Sequence, residues 1–382
     1  MAKHGFRIFD SDIHIIEPGD LYQRFIEDSF KDRAPFKERS MVSGVDKWVV
    51  DGIPHPYWVD WPQFLQANLR LENKKEATPF QVKAYERGFD AETTLEAMDL
   101  EGVDVSVLFR THGIIGQAID TLEPVFGLAL CRAYNNWLSD YCKTNPERMK
   151  GAGLIPLHDI DMAIEEARRV VLELGFPAVS IHPEPVNDRV FYDTEVEPLW
   201  DELERLGVAA CFHGTSTGPS THDFSRKYLG HPAGRTFTHA LSFPTQMMTA
   251  IAGMTLSGVL ERHPRLRVGF LEANCAWIPW LLYRLDDQWH KYADSPLEKP
   301  PSDYFLRQCV ASADADEYLI EDVIRRIGDH HLVLSTDYPH PDSAFPNAIH
   351  EFMELEVSDA SRRKILWDNS ARLYGIEVPA KA

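Results

Sequence analysis

Short apolar and β-branched runs alternate along the chain with longer stretches in which apolar positions recur at helical spacing. We predict strands at residues 6–14, 103–109, 151–157, 178–182, 208–213, 266–271, 308–311 and 332–335. We predict helices at residues 94–100, 122–143, 161–174, 196–206, 246–262, 278–292 and 317–327. Strands that alternate with helices in this way are typical of βαβ units around a parallel sheet.

The number of predicted strands selects between two α/β folds. Eight strands separated by helices are the pattern of a (β/α)8 TIM barrel, and barrels of this length fold as one domain. An open, doubly wound sheet is the alternative, but no glycine-rich turn follows the first predicted strand. We therefore predict that residues 1–382 form a single barrel domain.

Two segments interrupt the alternation of strands and helices. Residues 18–87 combine prolines and aromatic residues without a clear period, which in a compact domain favours a lid inserted over the site. Within this segment, we expect Trp58 and Trp61 to serve in packing, although they could cover an aromatic ligand. Residues 215–240, which are rich in Gly, Ser, Thr and His, predict a second insertion that forms a loop.

Composition narrows the classes of function. The 382 residues include 39 Lys and Arg against 59 Asp and Glu, a formal charge of −20, which argues against binding to nucleic acid or to anionic membranes. No apolar run is long enough to span a membrane, and residues 1–12 lack the apolar core of a signal peptide. Five scattered cysteines are typical of a reducing compartment. We predict a cytoplasmic enzyme with a small-molecule substrate.

Polar residues occur at the ends of several predicted strands. Asp12 and His14 lie two positions apart on the first strand, so both side chains point to the same face. His213 ends the fifth strand and Asp337 follows the eighth. Active sites of barrels lie at the carboxyl ends of the strands. Two carboxylates and two imidazoles there suit Zn²⁺, Mn²⁺ or Fe²⁺, and the oxygen ligands favour harder ions.

Each of these residues taken alone also has a structural explanation. Asp12 and His14 could hydrogen-bond to each other, and His213 could be a buried structural histidine. A helix N-terminus or an arginine could compensate the charge of Asp337 instead of a metal, because an isolated buried carboxylate is very unfavourable. Their common position at strand ends favours the metal site.

The segments MDLEGVDVSVL, HPRLRVGFLE, LSTDYPH and DNSARLYGI, in this order, resemble the amidohydrolase superfamily. The resemblance is to the branch around aminocarboxymuconate-semialdehyde decarboxylase, which also holds the γ-resorcylate and 5-carboxyvanillate decarboxylases. It implies a homodimer or homotetramer and one divalent ion, Zn or Mn, bound by Asp12, His14, His213 and Asp337. Asp12 replaces the family's usual His or Glu. His182, and no lysine, ends strand four, which argues against a carbamate-bridged pair of metals.

The sixth predicted strand carries the main departure from the family. The related decarboxylases usually have a catalytic histidine there, whereas the segment FLEANCAWIPW has Glu272. Glu272 could be an acid or base, an additional ligand, or a structural carboxylate that holds Arg284 or a lid residue. We take Asp337 and Glu272 as the candidate catalytic residues. The candidate substrate-binding residues are His182, Arg110, Arg235, His239 and His340.

The resemblance implies non-oxidative decarboxylation of a small aromatic or unsaturated carboxylate, in which Asp337 protonates the ring carbon before carbon dioxide leaves. The alternative is a metal-dependent hydrolase, in which Asp337 takes a proton from metal-bound water. A third possibility is a barrel that binds ligands without catalysis. The carboxylates at the strand ends argue against it, because a binding protein need not keep them.

Overall fold

The computed structural model describes residues 5–39, 46–55, 78–215, 220–228, 230–340 and 342–376. Its strands are β1 (Phe9–Ile15), β2 (Phe36–Arg39), β3 (Asp46–Val50), β4 (Ile53–His55), β5 (Val105–Arg110), β6 (Met149–Leu154), β7 (Ala178–Ile181), β8 (Ala209–His213), β9 (Arg267–Leu271), β10 (Cys309–Asp314) and β11 (Leu332–Ser335). Trp58 and Trp61, the two tryptophans discussed above, lie outside the described residues.

The eight predicted strands are β1 and β5 to β11, which form one sheet in chain order. Every adjacent pair in this sheet is parallel. The last strand returns to the first: the Asp337 N–H donates to the Asp12 carbonyl (3.2 Å) and the His14 N–H donates to the Tyr338 carbonyl (2.7 Å). The sheet is therefore a nearly closed barrel, and the predicted (β/α)8 fold is confirmed.

The helices lie between the barrel strands and flank them. They are α1 (Leu21–Phe25), α2 (Pro79–Glu86), α3 (Ala91–Glu101), α4 (Ile115–Ala118), α5 (Pro124–Cys142), α6 (Ile160–Leu172), α7 (Glu197–Leu206), α8 (Gly234–Leu256), α9 (Val259–Arg262), α10 (Ile278–Lys291), α11 (Pro301–Gln308), α12 (Ile320–Ile327), α13 (Ala348–Glu354), α14 (Asp359–Arg363) and α15 (Asn369–Tyr374). Local signals set several boundaries. The Asp90 side chain accepts a hydrogen bond from the Thr93 N–H at the start of α3, and Gly102 ends that helix in the left-handed conformation.

Several helices begin at residues other than those predicted, and two of these differences concern the candidate site. α8 starts at Gly234 rather than at residue 246, so the last part of the predicted loop at 215–240 is helical. Small and polar residues in this first part of α8 obscure the apolar period. α12 starts at Ile320 rather than at residue 317, because Glu317 makes contacts outside the helix.

The segment predicted as a lid contains regular structure that the sequence did not indicate. β2, β3 and β4 form a separate antiparallel sheet, and α1 and α2 flank it in the chain. The Trp48 ring of β3 is buried and lies 5.5 Å from the Tyr22 ring of α1. The Phe30 ring of the same segment lies 5.7 Å from the Phe126 ring of α5, so aromatic packing attaches the segment to the body of the protein. Its function as a lid stays a prediction.

The amino-terminal end of the barrel is filled by apolar side chains. The Phe9 ring lies 5.6 Å from the Trp367 ring and 5.5 Å from the Tyr374 ring, both from the C-terminal segment. These rings belong to a buried cluster with inward residues of the other barrel strands. Among the described residues, no helix combines the length and the apolar character needed to cross a membrane.

Candidate metal centre

Asp12 and His14 reach the carboxyl end of the barrel through an irregularity in β1. The pairing of β1 with β5 changes register between Asp10 and Ile13. Strict alternation would send Phe9 and Asp12 to opposite faces, because they occupy odd and even positions. The irregularity lets Phe9 fill the closed end while Asp12 and His14 face the open mouth. One strand therefore contributes both to the core and to the candidate site.

Five side chains bring donor atoms together at this mouth: Asp12, His14, His213, Glu272 and Asp337. The His213 Nε2 atom lies 3.1 Å from His14 Nε2, 3.3 Å from Asp12 Oδ1 and 3.1 Å from Glu272 Oε2. The His14 Nε2 atom lies 3.5 Å from Asp337 Oδ1 and 3.6 Å from Glu272 Oε2. Metal bonds of about 2.1 Å separate neighbouring donors by about 3.0 Å in an octahedral shell and about 3.4 Å in a tetrahedral one. The observed distances match such a shell.

The charges of the cluster call for a cation. Both carboxylate oxygens of Asp12 are fully buried and have no hydrogen-bond partner among the described residues, and burial raises the pKa of this carboxyl to about 7. Burial and neighbouring cationic groups lower the pKa of His14 and His213 well below the usual range. These imidazoles are therefore neutral and offer lone pairs rather than positive charge. The residues present fit a divalent metal ion, which would supply the missing charge.

Glu272 and Asp337 share an unusual backbone conformation. Glu272 directly follows β9 with φ of 56°, and Asp337 follows β11 with φ of 55°. Left-handed backbone is unfavourable for residues other than glycine and persists where the surroundings enforce it. Burial is the main cause that raises the pKa of both carboxyls, and their mutual repulsion raises the pKa of Glu272 further.

His340 joins the cluster through Asp337. Its Nδ1 atom lies 2.8 Å from Asp337 Oδ1, and its ring centre lies 4.1 Å from that of His14. Burial lowers the pKa of His340, but the carboxylates of Asp337, Asp342 and Asp12 outweigh it, so the net shift is upward. His340 and Asp337 can therefore share a proton at the edge of the donor cluster.

The sequence of this chain matches a known protein family. A model of the amidohydrolase family matches residues 10–376. The chain belongs to the amidohydrolase family. The predicted family is thus confirmed. γ-Resorcylate decarboxylase of Rhodococcus jostii (strain RHA1) is 29% identical over 299 residues, which cover 74% of this amidohydrolase and 87% of that protein.

Solved structures agree on the fold. An amidohydrolase of Mycobacterium avium subsp. paratuberculosis K-10 matches with a TM-score of 0.79 and 19% identity, over 98% of this chain and 100% of that chain. A dihydroxybenzoic acid decarboxylase of Polaromonas sp. JS666, with bound manganese and 2-nitroresorcinol, matches with a TM-score of 0.67 and 18% identity over 97% of each chain. At these identities the likeness shows a shared fold.

A carboxylate that the sequence did not single out holds the His14 side of this amidohydrolase centre. Glu17 accepts hydrogen bonds from the N–H groups of Thr111 (3.1 Å), His112 (2.7 Å) and Gly113 (2.8 Å). The Thr111 Oγ1 atom lies 3.2 Å from His14 Nδ1, which orients the Nε2 atom toward the cluster. The partners of Glu17 are backbone groups far along the chain, so no residue pattern could indicate them.

Two predicted substrate-binding residues lie at neighbouring strand ends. His182 directly follows β7, is 1% exposed, and has no hydrogen-bond partner at either ring nitrogen among the described residues. Arg110 ends β5 and donates from Nη2 to the carbonyls of His213 (2.8 Å) and Gly214 (3.2 Å). Arg110 thus fixes the end of β8 beside the donor cluster, and its charge lies close to Glu272 and Asp12.

The remaining predicted residues lie on the first turns of α8. Arg235 and His239 are part of this helix rather than of a loop. The His239 Nδ1 atom lies 3.5 Å from Asp342 Oδ2, and burial lowers the pKa of His239, an effect that the charges of Asp342 and Asp337 partly offset. Both residues are therefore near the mouth but outside the donor cluster. Arg284, suggested as a partner of Glu272, instead pairs with Asp287 (3.4 Å).

Proposed function

We propose that this amidohydrolase is a metal-dependent decarboxylase that removes carbon dioxide, without oxidation, from a small aromatic or unsaturated carboxylate. The observation that carries the proposal is the buried cluster of three carboxylates and two neutral imidazoles at the barrel mouth. The similarity to a γ-resorcylate decarboxylase over most of both chains supports this reaction.

One divalent ion, Mn or Zn, would be held by Asp12, His14, His213 and Asp337, with Glu272 beside them. Such an ion supplies Lewis acidity toward the carboxylate or an adjacent oxygen of the substrate. The separation of 3.1 Å between Glu272 Oε2 and His213 Nε2 supports Glu272 as an additional ligand. Three carboxylates favour the harder ion, manganese, over zinc.

Asp337 and His340 supply the proton. The reaction breaks the bond between the ring carbon and the carboxylate carbon and forms a carbon–hydrogen bond at the same ring carbon. The proton shared between Asp337 Oδ1 and His340 Nδ1, 2.8 Å apart, is transferred to that carbon. Solvent then restores the proton to the pair, whose side chains are 24% (Asp337) and 15% (His340) exposed. Glu272, whose pKa burial raises well above its usual range, is the second candidate acid.

The substrate is an anion, so the negative donor cluster must be balanced by nearby cations. Arg110 and Arg235 are the proposed arginines, and His182, His239 and His340 complete the set of substrate-binding residues. His182 is suited to hydrogen-bond a polar substituent of the substrate, because its buried ring nitrogens have no hydrogen-bond partner among the described residues.

Isotope labelling tests the reaction. Protein loaded with Mn²⁺ is incubated with γ-resorcylate and with a panel of related carboxylated phenols in water labelled with oxygen-18, and in heavy water. We expect release of carbon dioxide, deuterium on the ring carbon and no oxygen-18 in the aromatic product. Oxygen-18 in that product would contradict decarboxylation and favour the hydrolase. The His213→Ala variant should lose the metal and the activity together.

The proposal extends to the organisation of the protein. We infer a single barrel domain whose segment 18–87 covers the mouth as a lid, and a cytoplasmic homodimer or homotetramer. A small-molecule substrate is consistent with the narrow, buried donor cluster. Sedimentation velocity of the metal-loaded protein measures the oligomeric state directly, and a monomer at all concentrations would contradict the inference.

A further inference from the structure

The loop that carries Glu272 is held by three residues from the next strand and the turn after it. We call residues 272–276 the Glu272 loop, and Ser312, Asp314 and Glu317 its anchors. Glu272 donates its backbone N–H to Ser312 Oγ (2.9 Å), and Asn274 donates from Nδ2 to Asp314 Oδ2 (2.6 Å). The anchors thus contact the loop at both ends of its strained part.

Glu317 makes the densest set of these contacts. Its carboxylate accepts hydrogen bonds from the Cys275 N–H (2.8 and 3.0 Å) and from the Ala276 N–H (2.8 Å). Glu317 is only 8% exposed, and hydrogen bonds from N–H groups to a buried carboxylate are among the strong ones in proteins. These N–H groups immediately precede α10, where the helix dipole also favours a negative charge.

The loop needs such support because its backbone is strained. Both Glu272 and Asn274 have φ of 56°. Left-handed backbone is unfavourable for a non-glycine residue such as Glu272, and the conformation persists only when contacts enforce it. A relaxed loop would move the Glu272 side chain away from His213 Nε2, which it now approaches to 3.1 Å.

We propose that Glu317 is a positioning residue of the metal centre, which acts through the Glu272 loop to keep the Glu272 carboxylate within the donor shell. The inference rests on the proposed metal-dependent function and deepens it. It assigns to Glu317 a role other than the stabilisation of its own helix, since α12 begins only at Ile320.

The test measures metal affinity without substrate. Metal-free protein is titrated with Mn²⁺, and unbound Mn²⁺ is followed by electron paramagnetic resonance. Glu317→Gln keeps the size of the side chain but replaces one acceptor oxygen with a donor group. We expect it to weaken Mn²⁺ binding by about 10–100-fold, the usual effect of losing a residue that orients a ligand.

A matched control separates positioning from general stability. Glu101 is also buried and accepts hydrogen bonds from the backbone N–H groups of Ala348 (3.0 Å) and Ile349 (3.2 Å), which begin α13 rather than belong to the Glu272 loop. Glu101→Gln should lower the melting temperature to a similar extent while Mn²⁺ affinity stays within about twofold of wild type. Equal losses of affinity in both variants would reject a specific role for Glu317.

A double-mutant cycle tests the route through Glu272. In the Glu272→Ala background, Glu317→Gln should cause no further loss of Mn²⁺ affinity, because the ligand that Glu317 positions has been removed. Additive losses, or a Glu317→Gln variant with wild-type affinity, would overturn the proposal. If Glu317→Gln does not fold, Ser312→Ala removes the acceptor for the Glu272 N–H and carries the same expectations.

The outcomes also separate this inference from the proposed reaction. Wild-type protein that binds Mn²⁺, loses it in Glu317→Gln, but releases no carbon dioxide from any carboxylate would support the inference and contradict decarboxylation. Decarboxylation by a Glu317→Gln variant with unchanged Mn²⁺ affinity would support the proposed reaction and contradict the positioning role of Glu317. Wild-type protein that binds no divalent ion would overturn both.

Discussion

The two ends of the barrel are built on opposite principles, although the same strands form both. At the closed end, Phe9, Trp367 and Tyr374 pack ring against ring in an apolar cluster. At the mouth, Asp12 is equally buried, yet neither of its oxygens has a hydrogen-bond partner among the described residues. The closed end contributes stability, whereas the mouth gives up stability for a site that needs a cation to complete it.

The largest expected effect tests the chemical role of the mouth. Asp337→Asn keeps an oxygen near the other donors but cannot exchange a proton with His340. We expect the turnover number to fall by about 10²–10⁴-fold, with the melting temperature almost unchanged. Steady-state rates, measured at saturating Mn²⁺ with a carboxylate that the wild type decarboxylates, check this. A near-normal rate would assign the proton to Glu272 instead.

The next effect tests the structural role of the closed end. Trp367 is 6% exposed and packs on Phe9, with the Arg7 guanidinium 3.6 Å from its ring centre. Trp367→Ala should lower the free energy of unfolding by about 3–5 kcal/mol, because the neighbouring side chains can fill only part of the cavity that the indole ring leaves. Metal content per folded molecule should stay at the wild-type value. Parallel loss of metal would show that the two ends are not independent.

The smallest effect has the opposite sign and concerns the mouth alone. Asp12→Asn removes a buried charge that has no hydrogen-bond partner among the described residues, so the metal-free variant should be more stable than metal-free wild type by about 1 kcal/mol. Thermal melting in the presence of a chelator measures this. Added Mn²⁺ should reverse the order, because only the wild type gains the full free energy of binding. A less stable metal-free variant would indicate that Asp12 has a structural partner.

Much of the fold and the centre of the site could be predicted from the sequence. Barrel strands are buried on both faces and therefore stand out as short apolar runs, which gave all eight strands. Period two placed Asp12 and His14 on one face, and the ends of the fifth and eighth strands gave His213 and Asp337. The structure brings these four residues together, and their role as ligands stays a proposal.

The parts that could not be predicted depend on contacts between distant residues. Glu17 and Glu317 bind backbone N–H groups, which carry no sequence signal. The strands β2 to β4 are short and lack the alternation that marks a half-buried sheet. The beginning of α8 at Gly234 is obscured by polar residues that face the mouth, including Arg235 and His239. Sequence patterns thus describe the scaffold better than the residues that adjust the site.

The return of β11 to β1 has a consequence for protein synthesis. The hydrogen bond from Ser335 Oγ to the Asp12 carbonyl joins residues 323 positions apart, and His14 meets His213 across 199 positions. A chain emerging from the ribosome therefore exposes Asp12 and His14 long before the last strand exists. A donor shell that takes residues from both ends of the chain can close only after β11 has joined β1, so the proposed ion would be bound by the finished barrel.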